Sequence, residues 1–118
     1  MEQKSLILMV LFVFCLTTLE AQSEDAIEGH WQDAAHPDKK VEIYAKNGKY
    51  HGKDPNDAST LVFKDLQWNG SSNTYSGFVI NPDNGDALEV EIEMVDQNSF
   101  QFSVGPFIFK KTFRFTRI

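Results

Sequence analysis

The side chains best suited to metal binding are three histidines and an aspartate. His30, His36 and His51 are the only histidines, and Asp33 lies between the first two. Zinc needs three or four ligands that converge on one point, and no spacing here matches an established metal motif. His30 and His51 alternate along predicted strands with inward-facing aromatic residues, so we expect both on the outer surface. The sequence therefore predicts no metal site and no cofactor.

Groups that could carry catalysis are equally sparse. Cys15 is the only cysteine, and it lies inside an N-terminal apolar run. No serine stands in a Gly-x-Ser-x-Gly elbow. Glu89, Glu91 and Glu93 alternate with apolar residues, so they belong to the solvent face of one strand and do not form a carboxylate pair facing a core. We therefore predict that the protein is not an enzyme.

The N-terminus reads as a signal peptide. Lys4 precedes the unbroken apolar run Leu6–Leu16, and the small residue Ala21 stands before a polar segment, which is the pattern of a cleaved secretory leader. The alternative is a membrane anchor, but a spanning helix needs about 20 apolar residues. We predict cleavage after Ala21, with 1–21 as signal peptide and 22–118 as one domain. The protein is then secreted or periplasmic, with no stable membrane span after cleavage.

The predicted mature domain is acidic and has no cysteine. Loss of Glu2, Lys4 and Glu20 with the signal leaves ten basic and fifteen acidic side chains, a net charge of −5. Such a domain repels phosphate backbones, so we predict no nucleic-acid partner. Without disulfides, an exported domain must be held together by its core alone.

A β-hairpin from Thr74 to Val95 is the clearest structural element. Leu88, Val90, Ile92 and Met94 alternate with the three glutamates, which indicates a strand with one face in a core and the other in water. The connection contains Asn84-Gly85, a pair that tolerates the positive φ angles of hairpin turns. Asn47-Gly48 predicts a second hairpin.

The rest of the chain repeats this pattern. Short alternating segments start near Ile27, and turns separate them, including a loop predicted by composition over 54–59 and a last strand predicted to begin near 107–109. A long meander closes on itself because an open sheet exposes two edges. We predict an all-β fold, an up-and-down antiparallel barrel of about eight strands, with a two-sheet sandwich as the alternative.

Three residues are expected to close one end of this barrel. Gly29-x-Trp31 starts the first strand, and Arg117 shares a face with Phe113 and Phe115 in the last. Because the phenylalanines must face the core, Arg117 points inward too, where its guanidinium can stack on the indole of Trp31.

These residues resemble the Gly-x-Trp and closing arginine of lipocalins and fatty-acid-binding proteins. More specifically, V-E-I-Y-A-K-N-G-K-Y-H-G-K (Val41 to Lys53), the N-P-D-N-G turn and the final F-T-R-I are similar to an exported bacterial family. That family is catalogued as domain of unknown function twenty-one forty-seven and is regarded as lipocalin-like. The resemblance covers nearly the whole mature chain and implies a barrel, with no settled activity.

Two functions remain open from the residues. An eight-stranded barrel is just wide enough to hold one small molecule or to be filled by side chains. We predict a module that binds a small hydrophobic ligand, lipid-like or aromatic, between inward-facing residues of neighbouring strands: Leu88, Val90, Ile92, Phe102, Phe113 and Phe115. The alternative is a filled barrel without ligand that serves as a structural or protein-interaction module of the cell envelope, with an unknown protein partner.

Overall fold

Residues 24–105 and 110–118 are described by a computed structural model, and the predicted signal peptide, residues 1–21, lies outside them. Within this part of the chain a turn of 3₁₀ helix, Glu24–Ile27, precedes eight β-strands. The strands are β1 Gly29–Asp33, β2 Lys40–Lys46, β3 Lys49–Asp54, β4 Asp57–Asn69, β5 Thr74–Ile80, β6 Ala87–Asp96, β7 Ser99–Val104 and β8 Lys111–Arg117. No helix among the described residues is long and apolar enough to cross a membrane.

The strands form a closed antiparallel barrel. Each strand pairs with the next in the sequence, and β8 returns to pair with β1. At this junction Trp31 lies opposite Arg117, and Asp33 lies opposite Phe115. Every strand therefore has two neighbours, and no sheet edge is left to pair with another chain. The predicted up-and-down barrel of eight strands is confirmed, and the sandwich alternative is wrong.

The hairpin turns follow the sequence signals to different degrees. Asn47 and Gly48 have φ angles of 54° and 78°, as a two-residue type I′ turn requires. In the connection between β5 and β6 only Gly85 has a positive φ, 76°. There the Asn81 backbone N–H donates to the Asp86 carbonyl oxygen at 2.8 Å, so a wider loop replaces a tight two-residue turn.

Two predicted boundaries were wrong. Ile27 is buried in the 3₁₀ helix, so β1 begins at Gly29. The predicted loop over 54–59 contains only a short turn, because Asp54 pairs with Asp57 and β4 already begins there. Polar composition concealed this strand start, since exposed strand ends need no apolar residues. The predicted strand start at 107–109 lies outside the described residues.

Alternation along β6 places its two faces as predicted, with one exception. Val90, Ile92 and Met94 are buried, and the three glutamates between and beside them are exposed. Leu88 belongs to the same face but is 41% exposed. It is the second residue of β6 and lies at the end of the barrel, where fewer elements surround it. The expectation that Leu88 contributes to a buried wall was therefore wrong.

Candidate functional site

One end of the barrel is closed by Arg117. Its guanidinium carbon lies 4.2 Å from the centre of the Trp31 ring. The same guanidinium donates hydrogen bonds to three backbone carbonyl oxygens, those of Ala26 at 2.7 Å, Glu28 at 2.9 Å and Gln97 at 3.1 Å. A planar group with five donors suits this role, because it can stack and bond in its own plane at once. Arg117 thereby ties the last strand to the segment before β1.

Gly29 permits this arrangement. Its φ is 133°, a backbone angle that residues other than glycine rarely adopt. A Cβ atom at this position would lie 2.6 Å from Nη1 of Arg117. The backbone angle therefore requires the glycine of the Gly-x-Trp motif, and a side chain at this position would also have to displace the end of the Arg117 side chain.

The 3₁₀ helix completes the closed end. The indole Nε1 of Trp31 donates to the carbonyl oxygen of Ile27 at 2.9 Å, and the hydroxyl of Tyr75 donates to the carbonyl oxygen of Glu24. Tyr75 is fully buried, and burial raises the pKa of its hydroxyl well above the ordinary value. The hydroxyl therefore stays protonated and remains a donor across the neutral range.

Aromatic rings fill the middle of the barrel. Trp31 meets Phe100 edge-on at 4.8 Å between centroids, and Phe100 stacks on Phe115 at 5.2 Å. Phe63, from the opposite wall, packs edge-on against three rings, with centroid distances of 6.1 Å to Phe100, 5.4 Å to Phe102 and 6.2 Å to Phe115. Such edge and offset contacts add to the stability given by burial. These rings occupy the space between the walls.

The six predicted ligand-binding residues separate into two groups. Val90, Ile92, Phe102 and Phe115 belong to one buried cluster, in contact with the other core side chains. Phe113 is only partly buried; it stacks on Phe102 at a centroid distance of 5.3 Å. The exposed Leu88 is not part of the cluster. The four buried residues are therefore core residues. Of the six, only Phe113 and Leu88 present apolar surface that a ligand can reach.

Among the described residues, apolar side chains of neighbouring strands reach solvent at the end of the barrel opposite Arg117. On each of four consecutive strands, β5 to β8, an inward-facing apolar residue toward this end is partly or largely exposed: Val79, Leu88, Val104 and Phe113. We call these four residues the apolar rim. Val79 and Leu88 are cross-strand partners. The ammonium of Lys111 lies 5.0 Å from the centre of the Phe113 ring, so a cation stands beside the rim.

Sequence reasoning missed Phe63 as the central ring of the core. A β-bulge at Asp65, whose φ is 53°, interrupts β4. Phe63 and Leu66 are consequently both buried although they are three residues apart, which strict alternation does not allow. Apolar character alone marked Phe63. Asp65 is a residue type that tolerates a positive φ, but a single aspartate within a strand does not specify a bulge.

The outer wall carries two open grooves beside this bulge. One, of about 620 Å³, lies over β4, β5 and β6, with Gln67, Ser76 and Glu91 among its lining residues. The other, of about 500 Å³, lies over β2, β3 and β4, with Tyr44 and His51 among its lining residues. Within residues 24–105 and 110–118, no group of three or more His, Cys, Asp or Glu side chains is placed to hold a metal ion.

No protein-family model, curated protein or solved structure matches the chain.

Proposed function

We propose that the protein is an exported binding module for a small amphiphile, which places its apolar part on the apolar rim at the end of the barrel opposite Arg117. The observation that carries the proposal is the difference between the two ends. Arg117 and the 3₁₀ helix cover one end, whereas inward-facing apolar residues of four neighbouring strands reach solvent at the other. Open ends of small barrels are common ligand sites.

The interior limits what such a ligand can be. Phe63, Phe100 and Phe102 are buried and in contact, so a guest cannot enter deeply without displacing them. The ligand accordingly contacts only the outermost layer, which favours the end of an acyl chain or a single ring over a large enclosed molecule. Contact with so small an area gives modest affinity, because burial stabilises by only about 25 cal/mol per Å².

Lys111 supplies a polar anchor for this ligand. Its ammonium lies beside Phe113 and is exposed, so a carboxylate can pair with it while the attached chain covers the rim. A fatty-acid-like molecule fits this combination of one cation and apolar neighbours. The sequence resemblance to a lipocalin-like exported family supports the barrel scaffold of such a module, and the leader sequence supports export.

Displacement of a fluorescent fatty-acid probe tests the proposal. Leu88→Ser removes the most exposed rim side chain, and we expect it to weaken probe binding about threefold to tenfold, the loss of roughly one buried aliphatic group. Val95→Ser is the matched control, because Val95 is similarly exposed, at 42%, and lies on the other face of the same strand. Lys111→Gln should weaken a fatty acid and leave the corresponding alcohol unchanged.

A filled barrel without ligand is the second candidate, and the packed aromatic interior favours it. In that case the protein acts through its surface on another envelope protein. Native mass spectrometry of the protein from its own source, followed by solvent extraction, separates the two functions. A bound lipid mass that is lost in Leu88→Ser supports the rim. An empty protein whose wild-type and Leu88→Ser forms take up no probe supports the filled barrel and refutes the proposed ligand.

A further inference from the structure

The β-bulge in β4 interrupts the regular pairing of this wall. Asp65 has a φ of 53° although it is not a glycine. Strand pairing shifts on both sides of it, between Tyr50 and Gly52 toward β3 and between Lys64 and Gln67 toward β5. Residues held in this backbone region cost energy and are concentrated at functional sites, and bulges there redirect side chains. The outer wall beside the bulge is thus a candidate site for a ligand.

Two neighbouring residues are matched to the bulge. Gly77 on β5 faces it so closely that an added Cβ would lie 2.6 Å from the carbonyl oxygen of Asp65 and 2.8 Å from that of Lys64. On the other side, Nδ1 of His51 accepts the backbone N–H of Asp65 at 3.3 Å. Because Nδ1 accepts, the ring proton is on Nε2, which can donate to a ligand. The ring of His51 also packs against Tyr44 at 5.8 Å.

The groove beside this bulge concentrates positive charge. It is an open groove of about 500 Å³ on the outer wall. Three lysines line it, Lys46, Lys49 and Lys64, with His51 and one carboxylate, that of Asp65. The whole chain, in contrast, has a net charge of −6. In the described part of the chain none of the three lysines forms an ion pair, and Lys49 also lines the neighbouring groove, which contains Glu89 and Glu91.

We propose that this groove, formed by Lys46, Lys49, Lys64 and His51, binds a small phosphate-bearing molecule. Lysine ammonium groups act as point charges for phosphate, and the Nε2–H of His51 adds a directional donor. Three lysines against one carboxylate leave an excess of positive charge that suits a dianion. The site lies on the outer wall near the hairpin of β2 and β3, away from the apolar rim, and does not depend on the function proposed for that rim.

The phosphate group can belong to a soluble ester or to a lipid headgroup, and the chemistry of recognition is the same. A concave groove on a curved wall favours a soluble ester, because a flat membrane surface does not enter it. Titration with glucose 6-phosphate, with glucose as the uncharged comparison, addresses the soluble source. Sedimentation with phosphatidylglycerol vesicles, compared with phosphatidylcholine vesicles, addresses the lipid source.

The decisive variants change two lysines at a time. Lys46→Gln/Lys49→Gln removes two exposed charges of the groove, and Lys39→Gln/Lys40→Gln removes two exposed charges at the start of β2, outside the groove. We expect the first to weaken glucose 6-phosphate binding about tenfold, in line with two exposed charge interactions, and the second to leave it unchanged. Binding should also weaken at high salt. Isothermal calorimetry and amide chemical shifts around Asp65 measure both effects.

Clear outcomes overturn the inference. Equal weakening by both double variants would show attraction to net charge without a site. Binding of glucose as strong as that of glucose 6-phosphate would show that the groove does not recognise the phosphate group. Absence of binding by every phosphate probe would refute the site. If Lys46→Gln/Lys49→Gln abolishes vesicle binding and the other double variant does not, the site is supported and its phosphate belongs to a lipid. Leu88→Ser should leave all of these measurements unchanged, which separates this site from the rim.

Discussion

Substitution of Gly29 by alanine tests how the barrel is closed. The new methyl group must occupy a position 2.6 Å from Nη1 of Arg117, and the backbone must keep a φ of 133°. Gly48→Ala is the matched control, because Gly48 also has a positive φ, 78°, but nothing lies within 4 Å of an added Cβ. The pair separates backbone strain from displacement of the guanidinium.

The two contributions can be estimated from the structure. A non-glycine residue held in such a backbone region costs about 1–3 kcal/mol. Displacement of Arg117 weakens its hydrogen bonds to the Ala26, Glu28 and Gln97 carbonyls, each of which contributes about 0.5–1.5 kcal/mol. Because part of this network is exposed, we expect Gly29→Ala to lower the free energy of unfolding by roughly 3 kcal/mol in total. Gly48→Ala should cost only about 1 kcal/mol.

Urea unfolding followed by circular dichroism measures these differences, and a double-mutant cycle with Arg117→Ala assigns them. In the Arg117→Ala background the clash is gone, so Gly29→Ala should add only the strain, with a coupling of about 1–2 kcal/mol between the two sites. If Gly29→Ala costs the same in both backgrounds, the guanidinium does not lie against Gly29. If it costs no more than Gly48→Ala, the closing role of this contact is refuted.

Three further predictions concern the core and the bulge. Trp31→Ala should destabilise the fold by about 3–5 kcal/mol, as large buried aromatics do, and an effect under 1 kcal/mol in urea unfolding would contradict its central position. The free energy of unfolding should fall as the pH rises above about 10, because tyrosine in the unfolded chain ionises there, whereas the raised pKa of Tyr75 keeps its hydroxyl protonated in the folded protein. Tyr75→Phe should make this fall smaller. An unchanged dependence of stability on pH in this variant would contradict the role of Tyr75. Gly77→Ala should lower the free energy of unfolding by about 1–3 kcal/mol, because the new methyl group presses on the Asp65 carbonyl. The chemical shift of the Asp65 backbone amide should change. An unchanged chemical shift would mean that the bulge does not need this glycine.

Much of the fold was predictable because local and global signals agree. The alternation of β6 fixes which side faces inward, and Asn47-Gly48 fixes a turn that only a hairpin uses. The inward position of Arg117 followed from its phenylalanine neighbours, and the structure places its guanidinium over Trp31.

The grooves and the open end were less predictable, for a different physical reason. The alternation of residues along a strand predicts the face on which Leu88 lies, but it does not predict whether other elements cover this residue. A bulge changes the alternation of buried and exposed residues through one residue in a left-handed conformation. Asp65 tolerates that conformation, but a single aspartate does not by itself predict a bulge. Lys46 and Lys49 flank the predicted hairpin turn, but Lys64 is distant in sequence, and only the pairing of β3 with β4 brings it to the same groove.

The pairing of β1 with β8 has a consequence for how the chain reaches this structure. The ring of strands is completed only when Trp31 meets Arg117, so a growing chain cannot finish folding until its last strand is available. Until then two sheet edges stay open, and each can pair with a neighbouring molecule. Contacts between residues so distant in sequence also slow folding. Loss of β8 by proteolysis would therefore turn the closed barrel into an open sheet prone to aggregation.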